Sequence, residues 1–201
     1  MINCTTIFAG LSETKAFWLS TDLLRYLLLL AGMDAVSGLY MANVIERCET
    51  FTLPRSGYAR WYHRAMLGSG AVLCLPLAVV AGIACLTSRD SVQTVAMAAA
   101  LLALNLLVVS NLQMFITLMT RNITLGYLTC MLMQLISVFC SEQLSPAGKM
   151  ALLGNWGMLA RSSLVQPDGI SIGTAVGAEI VILLTLWIFA WRAVRKNRRG
   201  A

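Results

Sequence analysis

Of 201 residues, 58% are hydrophobic and 12% are charged, and the mean hydropathy is +0.75. Soluble domains carry about 25% charged residues, and a chain of this length cannot hide so much apolar surface, so the composition excludes a soluble globular protein and predicts one integral membrane unit over 1–201. The formal charge of +6 comes from basic residues gathered near the ends of apolar runs, which points to orientation in a bilayer and contact with anionic lipid rather than to nucleic acid.

Residues 1–20 include Glu13 and Lys15 and lack a clean apolar core ending in small residues, so no cleavable signal peptide is expected. Five apolar runs follow, approximately 23–45, 65–86, 92–119, 125–140 and 170–191. Runs of about 20 apolar residues match the thickness of a bilayer. In lipid each must be a helix, because only internal hydrogen bonds satisfy the peptide groups there. The predicted fold is therefore all-α, a polytopic bundle of about five spanning helices. Pro76 is expected to kink the second span.

The segment 141–169 between the fourth and fifth spans is too long for a tight turn. Ser145 as cap and Pro146 in the first turn predict a short helix over 147–161, too polar to span, lying at the interface or dipping part-way in with Trp156 at headgroup depth. Pro167-Asp168-Gly169 reads as a turn before the last span.

Basic residues set the orientation. Arg47, Arg55, Arg60 and Arg64 in the loop 46–64, Arg121, and Arg192, Arg195, Lys196, Arg198 and Arg199 in the tail fall on one side if five spans alternate. Lys15, Arg25, Arg89, Lys149 and Arg161 fall on the other. The bias predicts an outside N-terminus and a cytoplasmic C-terminus.

Several polar residues lie inside the spans. Asp34 and Glu179 are carboxylates at membrane depth, where charge is costly and turns toward protein or water. They read either as lining of a transport path, proton-coupled in one version, or as structural partners of neighbouring helices. Asn105, Ser110, Asn111 and Gln113 share no single face of the third span, and Gln134 lies in the fourth. They read as interhelical hydrogen-bonding groups, with substrate contact as the other possibility. Gly173 and Gly177 form a GxxxG that lets two helix backbones approach closely, and Ala96, Ala99, Ala100 and Ala103 offer similar small faces.

Six cysteines form no CxxC pair, and the single histidine, His63, has no cluster of ligands about it, so no metal site is expected. The sequons at Asn3 and Asn122 are patterns common by chance. Gly148-Lys149-Met150 lacks the upstream glycine and the Ser/Thr of a nucleotide loop, and no hydrolase or metalloprotease motif is present, so an enzyme is not expected.

The loop 46–64, ERCETFTLPRSGYARWYHR, carries the most information. Arg55, Arg60 and Arg64 can pair with acidic groups, while Tyr58, Trp61 and Tyr62 supply rigid contact area. On residue types alone it is either a recognition surface or a basic loop that orients the chain.

Glu46-Arg47, Thr50, Thr52, Leu53-Pro54-Arg55-Ser56 and then Arg60-Trp61, all following a span, resemble the permeases of ABC-2-type exporters. Gly154-Asn155-Trp156-Gly157-Met158 with Arg161 and Ser162 resembles the stretch before the last helix in the small permeases of lantibiotic immunity and bacitracin-type resistance, a family with a hydrophobic hairpin between its last two helices. The resemblance covers residues 22–195, mostly in pattern. It implies a permease subunit in a bacterial plasma membrane, with ATP bound by a separate ATPase subunit and no cofactor of its own. The ATPase would grip Arg55, Tyr58, Arg60, Trp61 and Arg64, and the cargo would be amphipathic, a peptide antibiotic or a lipid-like molecule. Two departures stand out. The family has six helices with a cytoplasmic N-terminus, and its Pro-x-Ser-Arg string reads Pro54-Arg55-Ser56-Gly57 here. They suit one unequal partner in a heteromeric exporter or a diverged subunit more than a self-sufficient pair with a second copy, and they also suit an accessory subunit that does not itself transport.

Overall fold

The computed structural model describes residues 8, 10–11, 21–47, 58–87, 91–166 and 168–197. Helix α1 spans Thr21–Arg47, α2 Tyr58–Thr87, α3 Val92–Thr120 and α4 Ile123–Cys140. Two short helices follow, α5 over Pro146–Met150 and α6 over Leu153–Trp156, before the long α7 over Ile172–Asn197. The five long helices are apolar and long enough to cross a membrane. The first three extend about 40–45 Å and α4 about 27 Å, against a hydrocarbon core of about 30 Å.

Local chemistry sets the boundaries. The Ser91 hydroxyl caps α3 by accepting from the Thr94 amide at 3.2 Å. At its other end Arg121 takes a left-handed conformation, φ 54°, and Asn122 caps α4 by accepting from the Leu125 amide at 3.1 Å. Two residues thus reverse the chain, making α3 and α4 a tight antiparallel hairpin. Pro76 lies inside α2, which is assigned as one helix through it. The loop expected to run to residue 64 ends earlier, because α2 already begins at Tyr58.

Helix α3 is the hub, packing against α1, α2, α4 and α7. This is why its polar residues share no face: partners on all sides bury Asn105, Ser110, Asn111 and Gln113 alike. The outside of the bundle is coated with exposed leucine, valine and isoleucine, among them Leu28, Leu39, Leu67 and Val181, as suits a surface facing lipid.

The segment after α4 corrects the expectation of a single helix over 147–161. It is broken into a 3₁₀ turn at Ser141–Gln143, α5, α6 and a second 3₁₀ turn at Leu159–Arg161. It dips into the end of the bundle rather than lying flat on it, with Leu153, Asn155, Met158, Leu159 and Arg161 all buried. Two glycines permit the descent. A Cβ on Gly154 would stand 2.7 Å from Ser137 Cβ, and one on Gly157 2.6 Å from Asn105 Cβ. The chain leaves by a parallel bridge between Ser162 and Ile170, whose backbone contacts are Ser163 N to Ile170 O at 2.9 Å and Ile170 N to Arg161 O at 3.0 Å. Asp168 and Gly169 turn the chain here; Pro167, the first residue of the expected turn, lies outside the described residues. Phe8 and Leu11 are buried in the same cluster as Met158 and Leu159, and Gly10, at φ 75°, passes too close to Met158 for any side chain. The described N-terminal residues therefore sit at the re-entrant end, while the end of α1, the start of α2, Arg121 and the end of α7 lie at the opposite end.

Candidate functional site

A series of buried polar side chains runs along α3 from the re-entrant end to the other. Its span from Asn105 to Thr117 corresponds to about 18 Å of helix rise. At the re-entrant end Asn105 Nδ2 donates to the Leu153 carbonyl at 2.8 Å and to Glu179 Oε1 at 2.9 Å, tying the re-entrant segment, α3 and α7 together. Beside it lies Arg161, only 3% exposed. Its Nε donates to the Leu11 carbonyl at 3.0 Å, Nη1 to the Ser137 carbonyl at 2.6 Å and to Asn155 Oδ1, and Nη2 to the Val138 carbonyl at 3.1 Å. A cation over the last carbonyls of α4 is favoured by the helix dipole, and the planar guanidinium fits several acceptors at once.

Deeper in, the Ser37 and Ser110 hydroxyls share a hydrogen bond of 2.6 Å between α1 and α3. Gln113 lies over Gly38, where a Cβ would come 2.9 Å from Nε2. The backbones of α3 and α4 nearly touch further on, since a Cβ on Gly126 would meet the Gln113 carbonyl at 2.9 Å and Thr117 Oγ1 at 2.5 Å. Asp34 on α1 is 1% exposed. Several of these buried groups have no protein hydrogen-bond partner: Asp34 Oδ2, Glu179 Oε2, Thr117 Oγ1, Asn111 Oδ1 and both amide atoms of Gln113 and Gln134. Each such group costs about 1–3 kcal/mol when buried alone, so so many within one bundle is a heavy local cost.

The residues expected to form a contact surface in the loop separate. Arg55 lies outside the described residues, as do the side chains of Tyr58 and Arg60, although both of the latter belong to the first turn of α2. Arg64 is exposed. Trp61 is not a surface residue: it is 4% exposed and packs with Tyr62, Met41, Ala65 and Met114. The correction has a simple cause, since beginning α2 at Tyr58 turns this indole into the bundle. His63 is exposed and its ring lies 5.2 Å from that of Trp187 on α7. The possible transport-path residues Asp34, Asn105, Asn111, Gln113 and Glu179 are all buried, but only Asn105 and Glu179 share a hydrogen bond. Gly173 and Gly177 face outward, and a Cβ on Gly177 would meet nothing within 4 Å.

The anchoring role of Arg161 was missed from the sequence, where it counts only among the five basic residues of the outer side. Its only signal was an arginine set among glycines and an asparagine that permit close packing. Among the described residues no three His, Cys, Asp or Glu side chains gather closely enough to hold a metal ion. Cys74, Cys85, Cys130 and Cys140 are free thiols. Comparison with protein-family models, with curated proteins and with solved structures found no match.

Proposed function

We propose that this chain is a membrane-spanning permease subunit of an ABC-2-type exporter in a bacterial plasma membrane, with its N-terminus outside and its C-terminus in the cytoplasm. The observation that carries the reading is the joint at Trp61 and Tyr62, buried against Met41 of α1 and Met114 of the hub helix. A pull on the α1–α2 connection by an ATPase would pass through this joint directly into α3, whose polar residues run toward the re-entrant end. Trp61 then transmits the stroke, and Arg55, Tyr58, Arg60 and Arg64 make the contact. The re-entrant segment between the last two long helices agrees with the hydrophobic hairpin of that family. ATP is hydrolysed on the separate subunit, a second or unequal permease completes the assembly, and the cargo is an amphipathic peptide or lipid-like molecule.

A mild-detergent pull-down of the full chain followed by mass spectrometry tests this. An ATP-binding-cassette ATPase should come with it and be lost in an Arg60→Glu, Arg64→Glu variant. A well-folded chain recovered without any ATPase would overturn the reading. An ATPase that co-purifies, with export unchanged after deletion of this chain, would make it an accessory subunit.

A second reading is favoured by Asp34 and Glu179, each buried at membrane depth with one carboxyl oxygen lacking a protein partner. Here the chain is a small proton-coupled transporter. Transport should then vanish in both Asp34→Asn and Glu179→Gln. Transport that survives both changes and fails on Arg64→Glu excludes it.

A further inference from the structure

A cleft of about 590 Å³ lies between α2 and α7, with α3 as its floor. The volume falls within the range of about 300–1,000 Å³ typical of small-molecule sites. It opens to the outside of the bundle, where Leu67 and Leu75 are 75% and 67% exposed. Leu107 and Leu183 complete an apolar trough at membrane depth.

One end of the trough is polar. His63 lines it, and the exposed Arg64 follows at the edge of the span, with Arg192 of α7 exposed at the same end of the bundle. Asn111 also lines it and is 1% exposed. Its Nδ2 donates to the Leu107 carbonyl at 2.7 Å. A carbonyl only accepts, so this bond fixes the amide orientation and leaves Oδ1 as an acceptor, without a protein partner. A Cβ on Gly70 would meet Leu107 Cδ2 at 3.3 Å. In antiparallel helices this contact sets Asn111 level with Met66, about 5 Å along the helix axis from His63. From the membrane edge inward there is therefore a cation at the mouth of the cleft, then a hydrogen-bond acceptor buried in its wall, then an alkyl-sized trough.

We propose that this cleft binds a single-chain anionic lipid. The phosphate lies by Arg64 and His63, a free glycerol hydroxyl donates to Asn111 Oδ1, and the acyl chain follows Leu67, Ala71 and Leu75. The acceptor selects a mono-acyl lipid, because a diacylglycerol backbone has no hydroxyl left to donate. The cation selects a negative headgroup, since phosphate and guanidinium pair well. The site needs no ATPase and does not rest on the exporter reading.

The test uses the full chain in phosphatidylcholine nanodiscs with lysophosphatidic acid bearing a diazirine in mid-chain, and maps adducts by peptide mass spectrometry. Adducts should concentrate on 67–75 and Leu183. Ala71→Trp, an exposed position that fills the trough, should remove them with helicity unchanged, and Leu75→Trp should act likewise. Asn111→Leu should raise the concentration of unlabelled lysophosphatidic acid needed for half-competition about five- to tenfold. Labelling spread evenly over the lipid-facing sides of α1, α2 and α7 in the native chain would overturn the site. So would labelling that persists in both tryptophan variants. Equal competition by diacyl phosphatidic acid would overturn the hydroxyl contact, and equal competition by lysophosphatidylcholine the anionic one.

Discussion

Asn105 donates from Nδ2 to Oε1 of Glu179 at 2.9 Å, and this bond joins the central helix to the last span. The same nitrogen holds the Leu153 carbonyl of the re-entrant segment at 2.8 Å. One amide group therefore fixes three parts of the fold, and its removal strands two acceptors at once. Asn105→Ala should destabilise the chain by about 1–3 kcal/mol in a detergent unfolding titration. A double-mutant cycle of Asn105→Ala with Glu179→Ala should give a coupling of about 0.6–2 kcal/mol, the range for interhelical hydrogen bonds in membranes. Additive effects would mean that the two side chains do not interact.

Arg161 reaches Leu11, Ser137, Val138 and Asn155 from one buried guanidinium. Lysine keeps the charge but presents a single ammonium that cannot span acceptors on separate elements. Arg161→Lys should therefore behave nearly like Arg161→Ala. In both, hydrogen exchange should accelerate across 141–171 while the α3–α4 hairpin stays protected. Full protection in the lysine variant would show that charge alone holds the segment.

Glycine positions make a sharper contrast. A side chain on Gly126 runs into the backbone of α3, whereas one on Gly177 meets nothing. Gly126→Val should cost about 1–3 kcal/mol through the forced separation of α3 and α4. Gly177→Val should fall within about 0.5 kcal/mol in the isolated chain. A large loss at Gly177 measured on the chain in the membrane, but not in dilute detergent, would point to a helix partner on that face.

Much of the fold was legible because the bilayer simplifies it. Runs of apolar residues are long, and lipid allows them only one backbone structure, so all five spans were found. Cap chemistry at Ser145-Pro146 correctly marked a helix start. What stayed hidden was tertiary. Nothing local says that Trp61 turns inward, since that depends on α2 beginning at Tyr58 and on Met41 and Met114 lying opposite. Nothing local says that Arg161 is buried either, because its partners come from Leu11 and from the end of α4. The polar residues of α3 were visible as a set, but their pairing was not. Glu179 finds Asn105 across 74 positions of sequence, a distance no periodicity reports.

Arg161 stands with the minority in the charge bias. The positive-inside rule acts through basic residues near the ends of spans during insertion. Without Arg161 the minority set falls to Lys15, Arg25, Arg89 and Lys149, against the same ten on the other side, and the bias grows. The orientation should thus be insensitive to Arg161. Single cysteines at Thr124 and Ser163, both exposed and at opposite ends of the bundle, report it in a background without native cysteines. In intact cells a membrane-impermeant maleimide should label Ser163→Cys but not Thr124→Cys, and permeabilisation should expose the second. The pattern should persist when Arg161→Gln is added. Labelling of Thr124→Cys in intact cells would invert the topology and remove the α1–α2 connection from reach of a cytoplasmic ATPase.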